Sequence, residues 1–528
     1  MEKKTLLAII ISIAILLIWD LFFIQPRVEK EPAEVAGREE PAEAEPAAPV
    51  LELPKTLPET VITSNGESIV METPLVRAVL NTRGGTLTSV KLKKYRESME
   101  EDAKLVEVIK TPMPNLSLNE QFEDDHLLYQ ASAKGTLVSE NDPLTLTMSA
   151  EAADGVVIHK IYTIDPGSYS IGFSTIIENS TDQRLGMNIS MQMNETYPLD
   201  DKGSRYIFEG PVLLNGKRLE EFKISKVKKI GAYRDFPGEV KWFGFEDKYF
   251  LKTIIPKTPE ETSLTIRRID ETIISLDYGS LATEIEPSSR YEKDYLIFVG
   301  PKELETLKTT GYGLRKALDF GFFDIIAKPL LMAMNWIHSF TNSYGLSIIL
   351  LTIIIKILLY PLTLKSFTSM KELQKVQPLM KEIQSQYKDD KQKMNQEMMK
   401  LYSEHKINPM GGCLPMLLQI PILFALYKVF FAAIELRHTP FHIFGTWLPD
   451  LSAKDPYFIT PILMGLSQFV MQKMTPTTGD ATQQKVMLFM PVFFTILFLS
   501  FPSGLVIYWL ISNVLSIAQQ AYINRKDS

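Results

Sequence analysis

Long apolar runs separated by polar stretches are the most visible pattern in this chain. The first run, TLLAIIISIAILLIWDLFFI, follows the basic start MEKK, and five more lie in the C-terminal third. Each approaches the length of about 20 residues that an α-helix needs to cross a bilayer. We therefore expect five membrane-spanning helices in the C-terminal third, with approximate limits 343–364, 413–435, 457–474, 486–501 and 504–523.

The first apolar run has two possible meanings, a cleaved signal peptide or an uncleaved anchor. It is long for a signal-peptide core, and the QPRVEK that follows contains no A-x-A cleavage motif. We therefore expect residues 1–25 to be a transmembrane anchor with its basic end in the cytoplasm. Residues 26–59 are rich in Pro, Ala and Glu, and the part from Val28 to Glu59 holds nine Glu against three basic residues. This composition predicts an acidic tether without a packed core.

Between residues 60 and 300 the spacing of apolar residues changes from helical to alternating. MNISMQMN places four apolar side chains on one face, namely Met187, Ile189, Met191 and Met193. LTLTMS and YSIGFSTI alternate in the same way, and turn signals such as RGG and DPGS separate the runs. The pattern predicts a large antiparallel β-sandwich domain. Its acidic residues are scattered, and we expect them to be solvated.

The polar segments around the apolar helices predict the topology. Residues 301–342 mix apolar residues with charges, which indicates amphipathic helices in the membrane interface. The loop 365–406 holds nine Lys and six acidic residues, whereas the other short loops lack a basic excess. By the positive-inside rule this loop and the short tail 524–528 face the cytoplasm. Six spans then place the β domain outside the cytoplasm and both termini inside.

The cytoplasmic loop carries its own helical pattern. Apolar residues recur at three- and four-residue spacing on both sides of KDD, from Met370 to Tyr387 and from Met394 to Tyr402. This spacing predicts an antiparallel helical hairpin with one apolar seam.

Composition and motifs exclude several classes of site. The net charge is −7 and the mean hydropathy is near zero, at +0.01. One cysteine, Cys413, excludes an intrachain disulfide and a Cys-rich metal cluster. HTPFH lacks the Glu of a zincin, FPSG lacks the first Gly of a nucleophile elbow, and no Walker lysine follows a glycine-rich loop. We therefore expect neither an enzyme nor a metal or cofactor site.

Lys356, inside the apolar run SIILLTIIIKILLYPLT, is the candidate functional residue. It lies about 13 Å of helix from the cytoplasmic boundary at Lys365, which is long for a side chain that snorkels. A cation facing lipid costs about 3 kcal/mol, and the five predicted spans contain no acidic residue except Glu435, the last position of 413–435. A hydrophilic groove is favoured, and packing or snorkelling remains the alternative. Thr352 lies one turn before Lys356 on the same helix face, and other spans supply further polar residues that could line the groove: Gln419, Ser467, Gln468, Ser512, Asn513 and Gln519. Lys428 is closer to an end of its span, so snorkelling explains it.

Four stretches resemble the YidC family of membrane protein insertases, which includes the Oxa and Albino insertases. They are YPLTLKSFTSM, QEMMKLYSEHKINPMGGCLPMLLQIPILFALY, DLSAKDPYFITPILMG and QQKVMLFMPVFFTILFLSFPSGLVIYWLISN. The match covers about residues 312–523, and the anchor, tether and β domain match the long Gram-negative form by layout.

The resemblance implies a five-span insertase core over 343–523 and a periplasmic β-supersandwich without known catalysis. It implies a substrate groove at Lys356, where relatives usually keep arginine, and substrate contacts at Thr352, Tyr508 and Trp509. Gln419 and Ser512 complete the predicted groove. For the hairpin it implies recruitment of ribosomes or substrates, for which we select five lysines: Lys371, Lys375, Lys381, Lys388 and Lys391.

The partners implied by the resemblance are nascent membrane proteins, the Sec translocon with its accessory subunits, the ribosome and membrane lipids. The implied location is the bacterial inner membrane, and no nucleic-acid motif is present. Two rival interpretations remain open at this stage. One is a solute transporter or channel, which needs paired intramembrane charges, and the other is a periplasmic sugar-binding sensor.

Overall fold

The computed structural model divides the chain into two units. It describes residues 50–51, 66–118, 122–153, 155–187, 189–197, 208–224, 231, 233–258, 261–279, 283–388, 390–405, 414–441, 447–474 and 481–526. The β unit is Met1–Leu318 and the helical unit is Asp319–Ser528. The predicted anchor 1–25 lies outside the described residues, as do most of the tether and the last two residues of the tail.

Strands dominate the β unit, as the alternating pattern predicts. In chain order they are β1 Val50–Leu51, β2 Ser68–Glu72, β3 Val76–Asn81, β4 Thr86–Arg96, β5 Leu105–Ile109, β6 Asn115–Leu118, β7 Phe122–Glu123, β8 Gln130–Ala131, β9 Thr136–Val138, β10 Leu144–Ala153, β11 Val156–Ile164, β12 Ser170–Asn179, β13 Arg184–Met187, β14 Ile189–Thr196, β15 Gly210–Asn215, β16 Arg218–Glu221, β17 Tyr233–Glu246, β18 Phe250–Pro256, β19 Glu261–Arg268, β20 Ile273–Gly279, β21 Thr283–Ile285 and β22 Ser289–Pro301.

The described strands form one large sheet and two small ones. The large sheet runs β7-β6-β14-β20-β19-β17-β18-β22-β12-β11-β10-β8, with β15 and β16 joined at β17. The small sheets are β5-β4-β3-β2-β9 and β1-β13-β21. Almost all pairs are antiparallel, which agrees with the short turns between the predicted strands.

Strand β17 connects the two halves of the large sheet. Its first half pairs with β19, with Tyr233 opposite Arg267, and its second half pairs with β18, with Phe243 opposite Ile254. Gly238, near the end of the half that pairs with β19, has φ 120°, a conformation that residues with a Cβ rarely adopt. A single long strand can therefore change partners without a break.

The buried faces of the strands confirm the predicted alternation. β11 alternates buried and half-buried side chains along all nine residues. Met187, Ile189, Met191 and Met193 are all buried, as the period of two predicts. Burying such apolar faces contributes about 25 cal/mol per Å², so register in these strands is strongly specified.

The expectation that the acidic residues of this domain are solvated is wrong for several of them. Asp124 and Lys160 are both fully buried, at 0% exposure, and form an ion pair of 2.5 Å. Glu246 is also buried, 3.5 Å from the ammonium of Lys302. Burial raises the pKa of the Glu246 carboxyl to about 8, which outweighs the lowering by Lys302. Ionisable side chains therefore lie inside a core that the strand pattern predicts to be apolar.

The helices begin at the end of the β unit and continue to the C-terminus. Their bounds are α1 Leu304–Thr310, α2 Asp324–Thr341, α3 Tyr344–Lys375, α4 Gln377–Gln386, α5 Lys391–Glu404, α6 Leu414–Ala432, α7 Ile459–Met474, α8 Ala481–Phe498 and α9 Ser503–Lys526. Helix α2 leaves large apolar side chains exposed, among them Ile325, Trp336 and Phe340. An exposed apolar face of this kind is typical of a helix in a membrane interface.

Each of the five predicted spans coincides with a helix, α3 and α6 to α9. Among the described residues, α3 and Ser503–Ile523 of α9 are long and apolar enough to cross a membrane. Gln419–Ala432 and Leu488–Phe498 are apolar but shorter.

Helix α3 continues 11 residues past the predicted end of its span at 364 and forms the base of the hairpin. Pro361 lies inside this helix, where a proline is tolerated when neighbouring groups satisfy the freed carbonyl. From Leu362 to Lys375 the sequence contains neither proline nor glycine, so nothing local ends the helix at the predicted boundary.

Candidate functional site

Helix α9 supplies polar side chains to three neighbouring helices. Tyr508, Ser512, Ser516 and Gln519 or Gln520 recur at three- and four-residue spacing, so they lie along one side of the helix. Their hydrogen-bond partners are on α3, α6 and α7. The polar residues of four helices therefore meet around α9.

Lys356 of α3 is part of this arrangement. Its ammonium donates a hydrogen bond of 2.8 Å to Ser516 Oγ, and the Ser516 hydroxyl donates in turn to the Ser512 carbonyl at 2.9 Å. The side chain is half-buried, and no described carboxylate forms an ion pair with it. An ammonium has three N–H donors. Two of them thus have no acceptor among the described residues and can donate to an anionic or polar group of a substrate.

Gln419 of α6 joins the same cluster. Its Nε2 donates to Ser512 Oγ at 3.1 Å. Tyr508, one turn before Ser512 on α9, is buried. Gln419 and Ser512 therefore form a connected polar group with Lys356, through Ser516.

A second polar group lies between α9 and α7. Trp509 Nε1 donates to Gln468 Oε1 at 3.3 Å, and Asn513 Nδ2 donates to Ser467 Oγ at 3.1 Å. The Trp509 ring also packs against Phe498 of α8, with centroids 5.0 Å apart. Trp509 is half-buried, so part of its indole stays accessible. This places an amphipathic aromatic residue beside the polar cluster.

Thr352 occupies a different environment from the other predicted groove residues. It is 1% exposed, and its hydroxyl donates to the Ile348 carbonyl of its own helix at 2.6 Å. This local bond satisfies the hydroxyl without a partner on another helix. Ser516 was not among the predicted residues, although its position four residues after Ser512 signals the same helix face.

The hairpin packs by the predicted apolar seam. Leu373, Val376, Met380 and Leu401 form a buried cluster, and Ile383, Met398 and Tyr402 pack against it. Of the five predicted recruitment lysines, Lys381 and Lys388 are exposed and Lys375 pairs with Glu372 at 2.9 Å. Lys371 is half-buried, and the side chain of Lys391 lies outside the described residues. The exposed lysines leave a basic surface on the hairpin.

A cross-strand row in the β unit resembles a Ser-His-Glu arrangement. Ser149 Oγ and His159 Nδ1 are 2.7 Å apart, and His159 Nε2 and Glu178 Oε2 are 3.6 Å apart. The three residues come from the adjacent strands β10, β11 and β12, and Glu178 is exposed. Such rows are ordinary cross-strand pairs on a solvent-facing sheet. The described residues also contain no group of His, Cys, Asp and Glu able to hold a metal ion.

Comparisons with known proteins give the two units separate family matches. Residues 68–333 match the family model described as YidC periplasmic domain. Residues 336–528 match the model described as 60Kd inner membrane protein. The match boundary near residue 335 lies inside α2.

Full-length relatives share the whole layout. A membrane protein insertase YidC of Syntrophus aciditrophicus is 40% identical and covers 100% of both chains. One of Geobacter sulfurreducens is 37% identical, covering 100% of this chain and 99% of its own. A crystal structure described as an active YidC insertase with its first transmembrane domain resolved is 19% identical, with a TM-score of 0.38. It covers 87% of this chain and 93% of its own.

Proposed function

This chain belongs to the YidC family of membrane protein insertases, and we propose that it inserts nascent inner-membrane proteins through a hydrophilic, cationic groove around Lys356. Insertion takes place alone or together with the Sec translocon. Five helices, α3 and α6 to α9, form the membrane core, and residues 1–25 form an additional anchor. Both termini face the cytoplasm and the β unit is periplasmic.

The observation that carries this proposal is the environment of Lys356. Its ammonium has one hydroxyl partner, Ser516, and no ion-pair partner among the described residues. A solute transporter would need paired charges at this depth, which the described residues do not supply for Lys356. An unpaired cation inside a span is instead suited to receive a substrate's carboxylate transiently.

The proposed mechanism has three steps. The acidic, hydrophilic end of a substrate enters from the cytoplasm and is attracted by Lys356. The polar side chains of Gln419, Ser512 and Ser516 replace part of its hydration, which shortens the apolar distance that it must cross. The substrate's apolar helix leaves along the lipid-facing side past Tyr508 and Trp509, driven by hydrophobic partitioning. No nucleotide or metal takes part.

Site-specific photocrosslinking tests the path. A photoreactive residue at Trp509 is expected to crosslink to a stalled nascent chain with one apolar segment, because part of this indole is accessible beside the polar cluster. Ile357 provides the matched control, since it follows Lys356 directly but is 66% exposed on the outer surface of α3. Equal crosslinking from both positions would mean that the nascent chain contacts the lipid-exposed surface of the helices without preference. It would contradict a path past Trp509.

The basic surface of the hairpin is expected to recruit ribosomes or substrates. Replacing Lys381 and Lys388 by glutamate should lower co-sedimentation of ribosomes severalfold, because the substitution reverses two exposed charges. The effect should be largest at low salt, since screening limits the reach of exposed charges to about 10 Å at 0.1 M. The wild-type interaction should weaken as salt rises. Deleting 371–405 should abolish it. A hairpin variant that binds ribosomes and inserts substrate like the wild type would reduce this segment to a structural role.

A further inference from the structure

A cleft of ≈ 360 Å³ opens at the end of the β unit that leads into the helices. The turn between β15 and β16 contributes Gly216 and Lys217, and β17 contributes Glu239 and Lys241. The remaining wall comes from Lys257 after β18 and from residues 312–316, which follow α1. The groove mechanism proposed above uses none of these residues.

The lining of this cleft is strongly cationic. Four lysines and one carboxylate contribute to it: Lys217, Lys241, Lys257, Lys316 and Glu239. Lys241 approaches Glu239 to 4.0 Å, and Lys257 approaches Asp294 to 3.9 Å. Lys217 and Lys316 are therefore the two lysines of the cleft that form no ion pair with a described carboxylate.

These two excess lysines lie next to each other. The ammonium of Lys316 donates to the carbonyl oxygen of Lys217, a neutral acceptor that leaves its charge uncompensated. Within the described ranges the ammonium of Lys217 has no hydrogen-bond or ion-pair partner. Lysines arranged in this way attract phosphate as point charges.

The cleft also has an apolar part and a shaped wall. Leu214 and Pro256 line its floor, and the exposed ring of Tyr312 forms one side. Tyr312 adopts φ 50°, which is uncommon for a residue with a Cβ, and Gly313 follows at φ 77°. Glycine is favoured at 313 by this positive φ, and a Cβ there would lie 2.9 Å from Leu214 Cδ2. The lining thus combines lysines with apolar residues and the amphipathic ring of Tyr312, which suits a ligand with an anionic and an apolar end.

The chain connection favours a lipid as that ligand. Phe322, the first of the exposed apolar residues that continue along α2, follows Lys316 by six positions. Six residues of fully extended chain span at most about 21 Å. If the exposed face of α2 lies in the outer interface, headgroups are therefore within reach of the cleft. A free inorganic anion has no apolar part that could contact Leu214 and Pro256.

We propose that this cleft binds the phosphate headgroup of an anionic phospholipid from the outer leaflet. The phosphodiester contacts Lys217 and Lys316, and the glycerol and first methylene groups contact Tyr312 and Leu214. Binding holds the β unit at the membrane surface. The proposal uses the topology given under Proposed function but not the groove, so failure of either leaves the other standing.

Titration of the full-length protein, in neutral detergent, with short-chain phosphatidylglycerol tests the site. The double variant Lys217→Gln/Lys316→Gln should bind about 25-fold more weakly, at about fivefold per lysine. Lys308→Gln is the matched control, because Lys308 is exposed on α1, pairs with Glu305 at 3.4 Å and lies outside the cleft. Lys217→Arg/Lys316→Arg should retain binding and show that the cleft is intact.

Two further titrations distinguish the possible ligands. Inorganic phosphate should displace the lipid only at much higher concentration, since it lacks the apolar contact. An acidic peptide should bind more weakly than phosphatidylglycerol. Unchanged lipid affinity in the Gln variant would overturn the proposal, and so would equal affinity for inorganic phosphate or tighter binding of the peptide.

Discussion

Replacing Lys356 by glutamate is expected to abolish insertion of a single-span substrate whose translocated end is acidic. At 6 Å and an effective dielectric constant of about 20, a lysine and a carboxylate attract by about 3 kcal/mol. Glutamate converts this attraction to repulsion of similar size. The change corresponds to several powers of ten in occupancy of the groove by the acidic segment. In vitro insertion into proteoliposomes, followed by protease protection of the translocated end, measures it.

A graded series separates charge from hydrogen bonding at this position. Lys356→Arg keeps the charge and should insert nearly as well as the wild type, because the attraction to the acidic segment is retained. Lys356→Gln keeps a donor for Ser516 but loses the charge, so it should fall between the wild type and glutamate. A substrate with a neutral translocated end serves as the control, because its insertion should depend little on the substitution.

The electrostatic role would be wrong if Lys356→Glu inserted the acidic substrate as well as the wild type. The same series also detects misfolding. A misfolded variant fails with acidic and neutral substrates alike, whereas loss of attraction affects the acidic one selectively. The ratio of the two insertion yields is therefore the informative quantity.

Hydrophobic periodicity accounts for most of what was predictable here. The period of two in β12 and β14 predicted their buried faces, because one face of each strand packs in the core. The apolar runs predicted the helices α3 and α6 to α9, although α3 extends well beyond its apolar run. These patterns are local, so a single sequence displays them.

The polar cluster was only partly predictable. The intramembrane position of Lys356 is visible in the sequence because a cation there is costly. Its partner Ser516 depends on how α3 and α9 pack, which periodicity does not specify. Thr352 shows the converse, since its place beside Lys356 on one helix face suggested the groove but its hydroxyl bonds to Ile348. Residue type in the sequence thus identifies candidate groove residues, but their hydrogen-bond partners depend on how the helices pack.

The buried charges of the β unit were missed for the same reason. Asp124 and Lys160 are 36 positions apart in the chain, on separate elements, and nothing local pairs them. Once paired, they form a dense network. Asp124 accepts from Tyr129 Oη at 2.9 Å and from Leu116 N at 3.0 Å, and Lys160 donates to the Gly84 carbonyl at 2.6 Å. The network joins β11 of the large sheet to the turn between β3 and β4.

Loss of Lys160 is therefore expected to destabilise the β unit strongly. Lys160→Ala leaves the Asp124 carboxylate buried without its cation, which typically costs about 3–5 kcal/mol. Burial and the neighbouring Asp124 raise the pKa of Tyr129 well above its ordinary value, so the tyrosine stays neutral and offers Asp124 a hydrogen bond but no positive charge. Hydrogen exchange of amides in 156–164 should accelerate about 100-fold or more, since each 1.4 kcal/mol is a factor of ten.

A surface pair in the same unit provides the matched control. Lys134 and Glu67 approach to 3.2 Å but are 77% and 63% exposed, so Lys134→Ala should cost at most about 1 kcal/mol. The double variant Lys160→Met/Asp124→Asn removes both charges and should recover much of the loss, because no uncompensated charge remains. Exchange in 503–523 of the helical unit should stay unchanged throughout. If Lys160→Ala and Lys134→Ala accelerated exchange equally, the buried network would not be what holds these two sheets together.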